Sequence, residues 1–79
     1  MVAVKNDVLV CFGQTVRSRR IALDLTQEVL AEKAELHRTY IADIERGTRN
    51  ISLRNIEKLA VALEYSLETL FADVEKGRK

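Results

Sequence analysis

Apolar residues recur at helical spacing along this chain, and capping residues divide the pattern into five segments. The clearest segment shows the i, i+3, i+4, i+7 spacing of an amphipathic helix, carried by Ile56, Leu59, Ala60 and Leu63. The sequence has no proline and no alternating run of β-branched residues that would predict a strand. We therefore predict an all-α fold of five helices, and the 79 residues suffice for one domain over 1–79.

The positions of the caps set the expected helix boundaries. We expect the first helix over about 7–23, with Phe12 and Val16 facing inward, the second over about 27–33 and the third over about 38–46. Gly47 stands where a left-handed residue would end the third helix. The side chains that can cap the first, second, fourth and fifth helices are Asn6, Thr26, Ser52 and Ser66.

The composition excludes several classes of protein. The formal net charge is only +1, so an anionic partner must be met by basic residues concentrated on one face. The single cysteine, Cys11, cannot form an internal disulfide, which fits a reducing cytoplasm and excludes a Cys-based zinc cluster. No signal peptide or membrane span is indicated, and no residues are spaced for catalysis. We expect a complete cytoplasmic protein that is not an enzyme and has no metal or cofactor.

The second and third predicted helices have the features of a helix-turn-helix over about 26–46. About three residues separate them, and Ala31 and Ala34 are small enough for close helix contact. Ile41 and Ile44 would hold the third helix against the second. The N-terminus and outer face of the third helix would then project from the domain, where a helix can enter the major groove of DNA.

Outward side chains of the third helix are candidates for reading base pairs: Arg38, Thr39, Asp43 and Arg46. Arg38 can bond O6 and N7 of guanine in one plane, a contact that discriminates by about 1–3 kcal/mol. Thr39 can meet a base edge or the thymine methyl group. Asp43 can accept a hydrogen bond from cytosine N4, or it can orient Arg46 three residues on.

Residues around this surface are candidates for contacts to phosphates: Thr26, Gln27, His37, Tyr40, Arg49 and Asn50. The first two stand at the start of the second helix, where free backbone N–H groups favour an anion. His37 can alternatively cap the third helix. Any one surface arginine is most simply a solvated charge, but Arg38, Arg46 and Arg49 flank one helix end and together indicate a DNA-binding surface.

The segment Leu25–Leu63 resembles the helix-turn-helix domain of lambda-repressor-like regulators of the Cro/C1 and Xre type. The resemblance rests on four short motifs: Thr26-Gln27, Leu30-Ala31, Tyr40-Ile41 and Ile44-Glu45-Arg46-Gly47. It implies a bacterial DNA-binding transcription regulator associated with the nucleoid. Prophage repressors and toxin–antitoxin regulators share these motifs, and a protein-interaction module that has lost DNA binding is the alternative from a different class.

A narrower resemblance is to the controller proteins of restriction–modification systems, carried by "HRTYI" over 37–41, "IERG" over 44–47, and Arg49, Asn50 and Ser52. It implies a homodimer on a pseudo-palindromic double-stranded DNA operator. Such a protein activates its own gene and the endonuclease gene at low occupancy and represses at high occupancy.

The resemblance also implies a structural ion pair between Arg20 and Glu45, tying the first helix to the end of the third. Two positions depart from the family, which often has glycine where this chain has Asp24 and Glu35. These departures put the turn geometry in question, since glutamate tolerates the left-handed conformation less well than aspartate. A third departure, Arg19, replaces a usually apolar residue and is expected at the surface.

Two further groups of residues have alternative interpretations. Glu28 and Glu32 are either solvated acids, the first favourable at a helix N-terminus, or an acidic patch that contacts RNA polymerase. The last helix either covers the core or contributes, over about 65–75, to a two-fold interface. The interface residues on the second interpretation are Tyr65, Leu67, Leu70, Phe71 and Val74.

Overall fold

The computed structural model describes residues 7–78, and within this range the chain forms five α-helices and no strand. The helices are α1 (Val8–Ala22), α2 (Gln27–Ala34), α3 (Arg38–Arg46), α4 (Leu53–Ala62) and α5 (Leu67–Arg78). The all-α prediction is confirmed. The predicted bounds of α3 are those of the structure, whereas α1 is one residue shorter than predicted at each end and α2 is one residue longer at its C-terminal end.

Side-chain caps fix the starts of four helices. The hydroxyl oxygens of Thr26, Ser52 and Ser66 accept hydrogen bonds from backbone N–H groups three residues later, at 3.0–3.1 Å. Asn6, predicted as the first cap, lies outside the described residues. The cap of α1 is Asp7, whose carboxylate accepts from the backbone N–H of Leu9 at 2.8 Å.

Three turns contain a residue other than glycine in the left-handed conformation: Asp24 at φ 60°, Glu35 at φ 58° and Glu64 at φ 58°. The first two occupy the positions where the sequence departs from the glycine expected from the family that it resembles. The turns therefore keep the left-handed geometry despite the side chains. Gly47 ends α3 at φ 76°, as predicted.

The core is formed where α1 packs on α3 and α5, and α2 packs on α3 and α4. Its fully buried large side chains are Leu30, Ile41, Ile44, Leu59, Leu63, Leu70, Val16, Val74 and Cys11. Gly13 brings α1 against the end of α3, because a Cβ atom placed there would lie 2.2 Å from the carbonyl oxygen of Ile44. This contact leaves the opposite side of α3 open.

The apolar stripe of α5, formed by Leu67, Leu70, Phe71 and Val74, divides into a buried pair and an exposed pair. Leu70 and Val74 are 0% and 1% exposed within the single chain, so they form part of its core. They were wrongly predicted as interface residues, because a side chain buried inside one chain has no surface to offer a partner. Leu67 and Phe71 remain 37% and 36% exposed. Only these two apolar residues of the stripe are available at the surface.

Candidate nucleic-acid interface

Helix α3 separates anchoring residues from outward residues. Ile41 and Ile44 are buried against the rest of the domain, whereas Arg38, Thr39 and Arg46 are exposed. The turn over 35–37 sets the start of α3 apart from α2 and leaves its first residues uncovered. An exposed arginine, threonine and arginine on one helix face match the side chains that read bases in the major groove.

A largely buried hydrogen-bond network holds α3 on the side that faces α1. Glu45 receives Arg20 Nε at 2.7 Å and Arg20 Nη2 at 3.0 Å, with side chains only 3% and 12% exposed. Arg20 also donates to the carbonyl oxygen of Leu25 at 2.8 Å. The hydrogen bonds to Glu45 raise the pKa of the Arg20 guanidinium against the opposing effect of burial. The predicted ion pair is present, and it links α1, the α1–α2 turn and α3.

Gln27 belongs to the same network. Its side-chain amide donates to Glu45 Oε1 at 3.0 Å, so this group is engaged inside the protein. Thr26 Oγ1 likewise accepts from the backbone N–H of Val29 at 3.1 Å. The start of α2 can still bind a phosphate through its free backbone N–H groups and through the proton of the Thr26 hydroxyl.

Asp43 lies between two of the predicted DNA-binding arginines. Its carboxylate accepts hydrogen bonds from Arg46 through one oxygen and from Arg49 Nε through the other, the latter at 3.4 Å. The sequence left two roles open for Asp43, and this geometry favours orientation of the arginines over contact with cytosine. The guanidinium of Arg49 also lies 4.9 Å from the centroid of the Tyr40 ring.

Asn55 is a residue of this surface that sequence reasoning missed. Its side-chain amide donates to the hydroxyl oxygen of Tyr40 at 3.2 Å, joining the start of α4 to α3. Its partner lies 15 residues earlier in the chain, so no local sequence pattern indicates this contact. Together these elements line an open cleft beside the N-terminus of α3, formed by Glu35, Leu36, His37, Thr39, Tyr40, Arg49 and Asn55. His37 occupies the N-cap position of α3, as predicted, but its exposed side chain makes no capping hydrogen bond.

Arg19 was expected at the surface, and it is partly exposed there, with its guanidinium bonded to groups within the chain. Its Nε donates to the carbonyl oxygen of Leu63 at 2.9 Å and its Nη2 to that of Glu64 at 3.3 Å. The same guanidinium lies 4.6 Å from the centroid of the Tyr65 ring. Arg19 thus satisfies the carbonyl groups at the end of α4 and stabilises the α4–α5 turn.

Tyr65, the remaining predicted interface residue, is engaged within the chain. Its hydroxyl donates to Asp73, and burial together with this bond raises the pKa of the phenol.

Glu28 and Glu32 are both exposed on α2, and both interpretations of them remain predictions. Among residues 7–78, no cluster of His, Cys, Asp and Glu is arranged to hold a metal ion, and none of the described helices is long and apolar enough to cross a membrane.

The two short helices, their tight turn and the uncovered start of α3 define a helix-turn-helix domain. The Helix-turn-helix family (HTH_3) matches residues 16–70. The chain is 56% identical to the control protein C.BamHI of Bacillus amyloliquefaciens over 59 residues, which are 73% of each chain.

Solved structures of controller proteins are also similar to this chain in sequence and in fold. The restriction–modification controller protein C.AhdI from Aeromonas hydrophila is 51% identical, with a TM-score of 0.77 over 80% of this chain and 96% of that one. The tetramer of the controller protein C.Esp1396I in complex with its natural 35-base-pair operator is 34% identical, with a TM-score of 0.84 over 90% and 93%. The chain belongs to the helix-turn-helix family that includes the restriction–modification controller proteins.

Proposed function

We propose that this protein is a sequence-specific, double-stranded DNA-binding transcription regulator that controls a restriction–modification system. The observation that carries the proposal is the exposed start of α3, with Arg38 and Thr39 in the first turn of a helix anchored from behind by Glu45. An exposed recognition helix on a fixed support can present the same side chains to every operator. The protein acts on DNA in the bacterial cytoplasm and carries out no catalysis.

Each part of the surface has a role in this proposal. Arg38 reads guanine, while Thr39 and Arg46 contact neighbouring base edges. The phosphates on either side are held by the start of α2, by Arg49 with Tyr40, and by His37 and Asn50. The relative with an operator in its structure, C.Esp1396I, supports a surface of this kind because its fold matches over 90% of this chain.

The operator is bound by a homodimer. One subunit offers few phosphate contacts, so its affinity for DNA alone would be weak. Two subunits whose recognition helices lie about 34 Å apart reach successive major grooves on one side of the duplex. Exposed apolar side chains for the contact between subunits are present on α4 and α5: Leu53 and Val61 are 72% exposed, beside the smaller exposed areas of Leu67 and Phe71.

A gel-shift assay tests the proposal, using the DNA immediately upstream of the protein's own gene over a series of salt concentrations. We expect a specific complex that weakens steeply with salt. The Arg38→Ala variant should lose about 10- to 100-fold in affinity for this DNA, since one bidentate contact to guanine is removed. Arg78→Ala is the matched control, an exposed arginine on α5 paired with Glu75, and it should bind as wild type does.

The alternatives predict different results. An interaction module that has lost DNA binding would give no specific complex at any salt, from protein shown to be folded. A prophage or toxin–antitoxin repressor would bind its operator in the same way. The neighbouring genes distinguish it, because a controller gene lies beside genes for a methyltransferase or an endonuclease.

A further inference from the structure

Asp43 bonds both arginines that flank the end of α3. One carboxylate oxygen receives Arg46, and the other receives Arg49 at 3.4 Å. The Asp43 side chain is 20% exposed, whereas the two arginines are 62% and 50% exposed. The acid therefore lies beneath the guanidinium groups and closer to the protein than they are.

The loop after α3 is fixed to the same residue. The carbonyl oxygen of Asp43 accepts from the backbone N–H and from the hydroxyl of Thr48, both at 3.1 Å. This brings the chain back over Asp43, so that Arg49 is placed between the carboxylate and the Tyr40 ring. The position of Arg49 is thus set by contacts on two sides.

This arrangement has a consequence for binding to DNA of any sequence. Affinity for a random duplex comes almost entirely from basic groups that neutralise phosphates. Two arginines and one aspartate carry a net charge of +1, which is half of what the arginines alone would carry. A phosphate that approaches must compete with the carboxylate for the guanidinium donors and is also repelled by it. At an operator Arg46 contacts a base edge, so the carboxylate opposes fewer phosphate contacts there than at a random sequence, where both arginines can bind only phosphates.

We propose that Asp43 is a specificity-determining residue, an internal anion that holds Arg46 and Arg49 and suppresses their binding to the phosphates of non-operator DNA. This role rests on the proposed DNA-binding function and adds a reason why the protein discriminates. Asp43 makes no contact with a base in this mechanism. It acts by the charge and the hydrogen bonds that it supplies to its two neighbours.

The test compares wild-type protein with Asp43→Asn, which removes the charge and keeps the shape. Fluorescence anisotropy measures the affinity of each for two duplexes of equal length over a salt series. One duplex is selected by the wild-type protein from a random-sequence pool, and the other is a scrambled version of it. The control is Glu75→Gln, which makes the same chemical change in another exposed acid–arginine pair with i,i+3 spacing, on α5.

We expect Asp43→Asn to bind the scrambled duplex up to about fivefold more tightly, the factor that corresponds to an exposed ion pair. The slope of log affinity against log salt should steepen by about 0.9, because one more phosphate is neutralised. The affinity for the selected duplex should rise less, so the ratio between the two duplexes falls. Glu75→Gln should leave that ratio unchanged.

Three results would overturn the inference. An unchanged ratio for Asp43→Asn would show that the carboxylate has no effect on discrimination. A loss of affinity for the selected duplex alone would make Asp43 a base-reading residue instead. An equal fall of the affinity ratio in Glu75→Gln would show that the net charge of the protein, and not the position of Asp43, causes the change. If wild-type protein enriches no sequence from the pool, the proposed function itself fails, and a duplex of random sequence then decides whether Asp43 suppresses phosphate binding.

Discussion

At the scale of single residues, Glu35 is one of three side chains with an evident conformational cost, together with Asp24 and Glu64. It holds φ 58° in the turn between α2 and α3, where an L-residue is less stable than in the right-handed conformation by about 1–2 kcal/mol. Glycine has no such cost but loses more backbone entropy on folding. We expect Glu35→Gly to raise the free energy of unfolding by up to about 1 kcal/mol, measured by urea denaturation.

The same substitution elsewhere should have the opposite sign. Glu32→Gly, one turn earlier at an exposed position inside α2, lacks the conformational gain and should lower the free energy of unfolding by about 1 kcal/mol. A loss of stability in Glu35→Gly as large as that in Glu32→Gly would mean that the turn does not depend on its left-handed residue.

At the scale of elements, the contact between α1 and α3 depends on Gly13. An added Cβ atom would lie 2.2 Å from one carbonyl oxygen of α3 and 2.9 Å from the next, both backbone atoms. Gly13→Ala must push the helices apart, and we expect it to lower the free energy of unfolding by about 1–3 kcal/mol despite the better helix propensity of alanine.

Gly77 provides the matched control for this prediction. It also lies in a helix, but a Cβ atom there would meet nothing within 4 Å. Gly77→Ala should therefore leave thermal stability unchanged or raise it slightly. Equal melting temperatures for the two variants would contradict the close packing of α1 on α3.

The sequence predicted the elements well because their signals are local. Caps such as Thr26 and Ser52 act on backbone groups three residues away, so a short window of sequence contains both partners. The bonding of Arg19 was not predicted, because its partner, the carbonyl of Leu63, lies 44 residues further along the chain. The ion pair between Arg20 and Glu45 came from family resemblance, since spacing alone does not reveal a pair on two helices.

Only part of the candidate site could be predicted, again because the sequence pattern contains local information and not long-range contacts. Helical periodicity distinguishes the exposed Arg38 and Thr39 from the buried Ile41 and Ile44. It does not show which exposed groups bind each other, so the pairing of Asp43 with two arginines and of Asn55 with Tyr40 required three-dimensional coordinates.

At the scale of the whole molecule, the exposed apolar residues Leu53 and Leu67 lie together on α4 and α5, around one surface hollow. If they form part of the two-fold contact, Leu67→Lys buries an ammonium group at the interface in each subunit. We expect the dissociation constant of the dimer to rise at least about tenfold in analytical ultracentrifugation, with helical content unchanged.

Ile21→Lys is the control for this prediction, because Ile21 is 53% exposed at the end of α1 and lies outside the hollow. This variant should sediment as the wild type does. A dimer that persists unchanged in Leu67→Lys would place the contact between subunits elsewhere on the molecule.

The division of α3 into two faces has a consequence for how proteins of this kind diversify. Ile41, Ile44 and Glu45 of α3 support the fold, whereas base contacts are proposed for Arg38, Thr39 and Arg46. The proposed base-reading side chains are therefore separate from those that hold the helix in place. A substitution at position 38 or 39 can change the preferred DNA sequence with little loss of stability. A new recognition specificity is therefore accessible in single mutational steps, without passing through an unfolded intermediate in evolution.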